Sequence, residues 1–372
     1  MRTIKTILLP LLLIALLTGC WDQNLLVENK IINNISFDLE KENTIQSAVT
    51  ALNLSAKGGG QFAIKPSVYT AQASNLADIV DRLSKQGTGK MDISKTSMIF
   101  LGESLAAEDI YPFLERIFRT PTSNLGAKVT VIKGKAIDAL QAHKQQQLDI
   151  YSDSILRLIN ESERRDGLPR ETVSTLLTHM TEPGDDFILP YSALEEDKLI
   201  HIHGGALFHH RIMTGKISLR QIKVLSYLLP HRYAINYSVQ MTELDPNKIK
   251  QFVNVKLDSI RRNMNLRVVD KTAQASIQVS IKAEILQYPF FSPPTEQRIH
   301  DIEEAMEDQL VNEMKEVIAV VQKANNDCLN IAERLAAFYP DFWKSVNWDE
   351  LYPKIEIEPT VTVKIMSNGI MK

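Results

Sequence analysis

The sequence is poor in the features that most directly betray chemistry. It holds only two cysteines, Cys20 and Cys328, so at most one disulfide is available and a disulfide-stapled scaffold is excluded. It has no basic surplus, with 42 Lys and Arg against 45 Asp and Glu and a formal charge of −3. A nucleic-acid partner, which needs a concentrated basic face, is therefore not expected. No polybasic segment is present for anionic lipid either. After Leu17 there is no stretch of apolar residues as long as the roughly 18 that a membrane-spanning helix needs, and no internal repeat or low-complexity tract. Helical His-Glu-x-x-His and Gly-x-Ser-x-Gly are missing. Gly58-Gly59-Gly60 and Gly87-Thr88-Gly89-Lys90 are fragments of a phosphate loop at best. The second has Ser84 in place of the leading Gly and Met91 in place of Ser or Thr, so both read as turns.

What is present begins at the N-terminus. Arg2 and Lys5 precede an apolar run from Ile7 to Leu17 that contains Pro10, and Leu17-Thr18-Gly19-Cys20 follows. The run falls short of the roughly 20 residues that cross a bilayer, so residues 1–19 read as a signal peptide rather than a permanent span. The order of small residues before a cysteine resembles the bacterial lipobox. That implies cleavage between Gly19 and Cys20, with a covalent diacylglyceryl and acyl (palmitate-type) lipid on Cys20 and no other cofactor. Two or more acyl chains make a stable anchor at about 0.8 kcal/mol per buried CH₂, whereas one is marginal. Loss of Arg2 and Lys5 with the leader would take the charge from −3 to −5. Cys328 would be left alone in a helical pattern, where a buried small hydrophobe is expected.

Between Asn29 and Tyr191 strand-like and helix-like pieces alternate. Ile45–Leu54 is strand-like, and Ser74 would N-cap a helix with Leu76, Ile79, Val80 and Leu83 at helical spacing, closed by Gly87 and Gly89. Ser97–Leu101 reads as a buried strand ending at Gly102; Ile110, Phe113, Leu114, Ile117 and Phe118 as a helix; and Val129, Val131 and Ile132 as a strand stopped near Gly134. Helices are expected over residues 153–162 and 170–180, before the turn Glu182-Pro183-Gly184-Asp185-Asp186. A middle segment has a strand at 199–208, interrupted by Gly204-Gly205, and a helix at 219–229 ending before Pro230. Ile277, Val279, Ile281, Ala283 and Ile285 then alternate with polar residues, which predicts a strand with one wet face and antiparallel pairing. A long helix carries Ile299, Ile302, Met306, Leu310, Met314, Val317, Ile318 and Val321 on one stripe. Ile355, Ile357, Val361, Val363 and Ile365 alternate again, with Pro359 marking an edge strand or bulge. The expected class is multidomain α+β with mixed or antiparallel sheets and packed helices, in three domains: 20–192 with α/β patterning, a small one at 193–235, and 236–372 with the long helix.

The histidines are the one group with metal-ligand potential. His201 and His203 share a strand face, and His209-His210 follow, but no Asp, Glu or Cys stands among them, so no metal is assigned. The acidic pairs Asp185-Asp186 and Glu195-Glu196 lie in turn-like sequence and read as solvated loops. Phe338, Tyr339, Phe342, Trp343 and Trp348 read as a seam closing a helix onto a sheet. No catalytic constellation emerges, and no enzyme is expected.

Several segments resemble the Ger(x)C family of spore germination lipoproteins, the C subunit of nutrient germinant receptors. Gly19-Cys20-Trp21-Asp22 is similar to that family's processing site and mature start. Ile93 to Ala106, with Gly102-Glu103, is similar to its strand-to-Gly-Glu segment. Phe113 to Arg119 leading to Pro121, Lys133-Gly134-Lys135-Ala136, Gly205 to Phe208, Asp327, Tyr339-Pro340, Phe342-Trp343-Lys344, Trp348 and Gly369 fall in the family's order. Departures stand at Gln23-Asn24-Leu25-Leu26, Thr120, Asn124 and Asp327-Cys328-Leu329-Asn330. The resemblance implies a non-catalytic lipoprotein on the outer face of the spore inner membrane, assembled with multi-pass A and B receptor subunits. Trp21, Asp22, Gly102, Glu103, Arg119 and Trp343 are the positions it singles out. The alternatives are a solute-binding lipoprotein of a transporter, which would show two like lobes, and a family member whose role has drifted.

Overall fold

The computed structural model describes residues 29–41, 44–58, 61–87, 89–142, 148–182, 184–230, 236–241, 252–269, 272–289 and 293–367. These form two sheets with helices packed on them, a mixed α/β architecture. Among the described residues no helix is long and apolar enough to cross a membrane.

The large sheet runs β3 (Gln61–Ala73), β2 (Ile45–Gly58), β1 (Asn29–Leu39), β5 (Met98–Gly102), β6 (Lys128–Ile132), β7 (Phe187–Leu194), β8 (Ile200–His209) and β9 (Ile212–Ser218), with the short β4 (Lys90–Asp92) beside β1. The centre, β1-β5-β6-β7, is parallel, and antiparallel hairpins extend it on both sides. Parallel strands need crossover helices, and these cover both faces. On one face α1 (Leu76–Ser84), α3 (Tyr111–Phe118) and α6 (Val173–Thr181) pack against Ile99 and Leu101. On the other, α4 (Ala136–Ala142) and α5 (Leu148–Arg165) pack against Met98 and Phe100. Met98 to Leu101 are therefore fully buried at every position, which is why that strand reads as a continuous apolar run. The one-turn α2 (Glu103–Ala106) follows β5 directly.

The expected middle segment builds no sheet of its own. β7 pairs with β8 and β8 with β9, so β8 and β9 complete the large sheet, and α7 (Leu219–Leu228) packs into the second core. Gly204-Gly205 do not interrupt β8 either. A Cβ at Gly204 would lie 1.9 Å from the Ile217 carbonyl oxygen, and one at Gly205 2.5 Å from Ile188, so the glycines let β9 and the core approach closely. The first helix is capped by Asn75, whose side chain accepts the Asp78 N–H at 2.9 Å, and not by Ser74.

The second sheet runs β10 (Asn236–Gln240), β11 (Phe252–Val269), β12 (Thr272–Gln287) and β13 (Glu356–Ser367). β12 pairs antiparallel with β11, as expected, but parallel with β13, because the chain crosses over through α8 (Glu296–Lys323) before returning. The alternating residues Ile277, Val279, Ile281 and Ala283 face α8, while Gln278, Ser280 and Lys282 are exposed. Ile302, Met306, Leu310, Met314, Val317, Ile318 and Val321 form the buried stripe of α8. Pro359 lies on the edge strand. The short helices α9 (Ile331–Phe338), α10 (Pro340–Ser345) and α11 (Trp348–Leu351) connect α8 to β13.

Candidate functional site

Two polar constructions stand out, one at the carboxyl ends of the parallel strands and one where the sheets meet. At the first, Asp38 lies one residue from the end of β1 and its carboxylate accepts the N–H groups of Ala136 and Ile137 at 2.6 and 2.8 Å, capping α4. In open α/β sheets this is where ligands bind, with helix N-termini offering free N–H donors. Here Asp38 already fills that role. Burial pushes its pKa up to about 6 against the pull of the two N–H donors. Gly102 is required beside it, since a Cβ would fall 2.0 Å from Asp38 Oδ1. Glu103 turns outward to Lys216 Nζ at 2.6 Å and accepts the Gly134 N–H at 3.3 Å. Burial raises its pKa, but Lys216, Gly134 and the Tyr191 hydroxyl outweigh that and hold it below the usual range. The Gly-Glu pair thus braces β5 to β6 and β9.

The second is the junction of the sheets, made by residues 324–330 after α8. Asn326 Nδ2 donates to the carbonyls of Phe187 and Phe208 at 3.1 and 2.6 Å, reaching into the end of the large sheet. The Asp327 N–H donates to Asp186 Oδ2 at 2.8 Å, and both Asp327 oxygens cap α9 through the N–H groups of Ile331 and Ala332. Burial pushes the Asp327 carboxyl well up despite those bonds. Thr214 donates to the Ala324 carbonyl at 2.6 Å, and Tyr352 to that of Asn326 at 2.8 Å. Asn325 and Asn330 adopt left-handed backbone, which asparagine tolerates. Cys328 is buried and its thiol pKa is raised by that burial, so it packs as expected of a small hydrophobe.

Two cavities flank these constructions. One of about 930 Å³ opens between the sheets and is lined by Arg170, Glu171, His179, Asp185 and Cys328. His179 Nδ1 lies 2.8 Å from Asp185 and Nε2 lies 3.4 Å from Glu171. Burial lowers the His179 pKa, but the two carboxylates outweigh it and hold the ring at about 10. Held between the two carboxylates, the ring ties α6 to Glu171 and to the turn that carries Asp185. The other cavity, of about 620 Å³, is apolar and lies under α1 and α3, against Phe37 and Val49.

Gly19, Cys20, Trp21 and Asp22 lie outside the described residues, as does Gly369. Arg119 closes α3, exposed and paired with Glu115. Trp343 packs 5.7 Å from Trp348 by ring centroid and against Gly184, where a Cβ would fall 3.2 Å from the indole. The aromatic seam thus holds α10 and α11 to the turn that carries Asp185 and Asp186, while Phe338 stays 72% exposed outside it. His201 and His203 are exposed and pair with Asp197 and Glu195 at 3.0 and 2.8 Å. They do not converge with His209 and His210, which meet Asp186 and Asp349 at the other end of β8. For His209, burial lowers the pKa, but Asp186 and Asp349 hold it above the usual range. Asp38 was missed from sequence, although an acid set between Phe37 and Leu39 near the end of a strand-like stretch is a usable signal of a buried polar role.

A mixed sheet flanked by helices, joined to a second sheet crossed by one long helix, defines a two-domain structural class without an evident reaction centre among the described residues. Residues 22–194 match the family model described as the spore germination protein N-terminal domain. Residues 203–369 match that of spore germination B3/GerAC-like proteins, C-terminal. The chain belongs to this Ger(x)C family of spore germination proteins. Relatives include the putative spore germination protein YfkR of Bacillus subtilis (strain 168), 21% identical over 100% of this chain and 98% of its own. Spore germination protein KC of the same organism is 21% identical over 97% and 95%. The crystal structure of the GerBC protein shares the fold, with a TM-score of 0.58 at 14% identity over 89% of this chain and 96% of its own.

Proposed function

We propose that the chain is the lipid-anchored C subunit of a spore nutrient germinant receptor, needed for its assembly and non-catalytic in itself. The observation that carries this is the match of both family models in sequence along the chain. The leader ending in Leu17-Thr18-Gly19-Cys20 supports a tether on the outer face of the spore inner membrane. Beside two multi-pass A and B subunits on one surface, the folded body needs only modest affinity, because the tether raises the effective concentration. The bracing of both polar constructions by backbone donors, and the doubly engaged His179, support a scaffold role. The solute-binding alternative loses support because its two like lobes would share a topology, whereas these sheets differ in strand order and number.

The test is an affinity-tagged chain purified from spore inner membrane beside a Cys20→Ala control, with partners identified by mass spectrometry. Two multi-pass proteins are expected with the wild type and depleted with the control. Recovery of the chain alone, or with transporter components, would overturn the receptor-subunit reading.

A further inference from the structure

The four histidines of β8 and its turn divide by where their acids come from. His201 and His203 take exposed acids from their own hairpin, Asp197 and Glu195. His209 and His210 take theirs from sites 23 and 139 residues away, on opposite sides of the junction. We infer that His209, His210 and the carboxylate of Asp349, with Asp186 orienting the His209 ring, form a site for a divalent transition-metal ion of the zinc type that ties the β8–β9 turn to α11.

Four observations carry it. First, one ligand atom from each of Asp186, His209 and His210 lies within 4.8 Å of the others, and the two rings are 4.1 Å apart by centroid. Asp349 closes the group from α11, with Oδ1 3.5 Å from His209 Nε2 and Oδ2 3.3 Å from His210 Nε2. For metal–ligand bonds of about 2.0–2.1 Å, tetrahedral geometry separates neighbouring ligand atoms by roughly 3.3 Å, so those two contacts already match.

Second, the carboxylate of Asp186 is fixed before any ion arrives. Its Oδ1 accepts the His210 N–H at 2.7 Å and its Oδ2 the Asp327 N–H at 2.8 Å. From there it meets His209 Nδ1 at 3.2 Å, the carboxylate–histidine pairing that selects the tautomer and turns Nε2 toward Asp349 as the ligand atom. Third, His210 sits at φ 55° in the two-residue turn between β8 and β9, a left-handed position that Gly or Asn fills at less cost. A histidine there, its ring aimed at Asp349, is a strained choice that ligation would explain. Fourth, His209 Nε2 is met by Asn325 Nδ2 at 3.2 Å, while Asn325 Oδ1 is buried without a hydrogen-bond partner. The polar accounting around this ring is incomplete as it stands.

Imidazole with carboxylate suits zinc and its transition-metal neighbours, and disfavours calcium and magnesium, which prefer all-oxygen sites. The ion has access, since the His210 and Asp349 side chains are each 49% exposed.

The probe is Zn²⁺ added to the full chain, produced without a polyhistidine tag, followed by calorimetric titration and by thermal melting with and without the ion. One ion per chain and a raised melting temperature are expected, with Ca²⁺ giving neither. The double variant His209→Ala/His210→Ala should weaken binding by more than about tenfold, and Asp349→Asn by about tenfold, with unchanged circular dichroism. His201→Ala/His203→Ala should bind as the wild type does. Absence of saturable binding, its survival in the His209/His210 variant, or its loss in the His201/His203 variant would each overturn the site. Because partner recovery is not read in this experiment, its failure leaves the receptor-subunit reading to its own test.

Discussion

The two sheets solve burial in opposite ways. The large sheet is parallel at its centre and covered on both faces, so Met98 and Phe100 pack into one helical layer while Ile99 and Leu101 pack into another. The second sheet buries only the face under α8, and its other face carries Gln278, Ser280 and Lys282 in water. A side chain in the central strand β5 of the first has no exposed alternative, whereas one in the second has a dry or a wet position set by parity. The edges differ as well. The outer edge of β13 is sealed by α8, whose Glu307 and Glu303 accept the N–H groups of Val363 and Ile365 at 2.7 Å each. Edge donors satisfied in this way cannot template another strand.

Backbone approach is where the large sheet should break most severely. Gly204→Ala would drive a Cβ to 1.9 Å from the Ile217 carbonyl oxygen, and only displacement of β9 relieves that. A loss above about 4 kcal/mol is expected, read as failure to fold or a collapsed urea midpoint. Next comes packing. Phe100→Ala should cost about 3–5 kcal/mol and Ile281→Ala about 2–5, both fully buried and measured by denaturant unfolding. The comparison sharpens if each is paired with its sequence neighbour. Leu101→Ala should cost about as much as Phe100→Ala, while Lys282→Ala beside Ile281 should cost almost nothing.

This contrast also explains what could be read in advance. Period-two alternation in β12 and β13, and the helical stripe of α8, are direct records of one-sided burial, and they located the second sheet. In β5 the same burial leaves only an apolar run, which names a strand without saying what it pairs with. Gly204-Gly205 read as an interruption because glycine weakens strands in general; its reason here is a carbonyl from β9, invisible to local pattern. Ser74 and Asn75 are both good caps, and nothing local separates them by one residue. The acids around His209 and His210 were out of reach for the same cause: Asp186 and Asp349 join them only through the fold.

Acid should separate the sheets next. Asp38 has a folded pKa of about 6 against 3.8 when exposed, so the native chain holds more protons than the unfolded one between those values. Stability contributed by this group is therefore present below pH 3.8 and is lost as pH rises through 6. The ionised form carries a cost of about 3 kcal/mol at neutral pH. Denaturant unfolding of Asp38→Asn should show a shallower decline between pH 4 and 6.5 than the wild type. An unchanged slope would place the titration elsewhere.

Smaller effects belong to the second sheet. Glu307→Ala removes the acceptor for the Val363 N–H on an edge where water can partly replace it, so about 1 kcal/mol is expected from thermal unfolding. An effect near zero would mean that water seals the edge as well as the carboxylate does.

The smallest expected change is the one that defines the comparison. Gln278 and Lys282 project from β12 on the face away from α8, each flanked by buried neighbours that point inward. Truncating either to Ala removes no buried area and leaves no unsatisfied partner in the core, so stability should move by less than about 0.5 kcal/mol. The same truncation one residue along, at Val279 or Ile281, removes atoms packed under α8. A difference of several-fold between adjacent positions, read from the same unfolding curve, is what one-sided burial requires. A loss above about 1 kcal/mol at Gln278 or Lys282 would mean that the wet face is covered, and the second sheet would then be two-sided like the first.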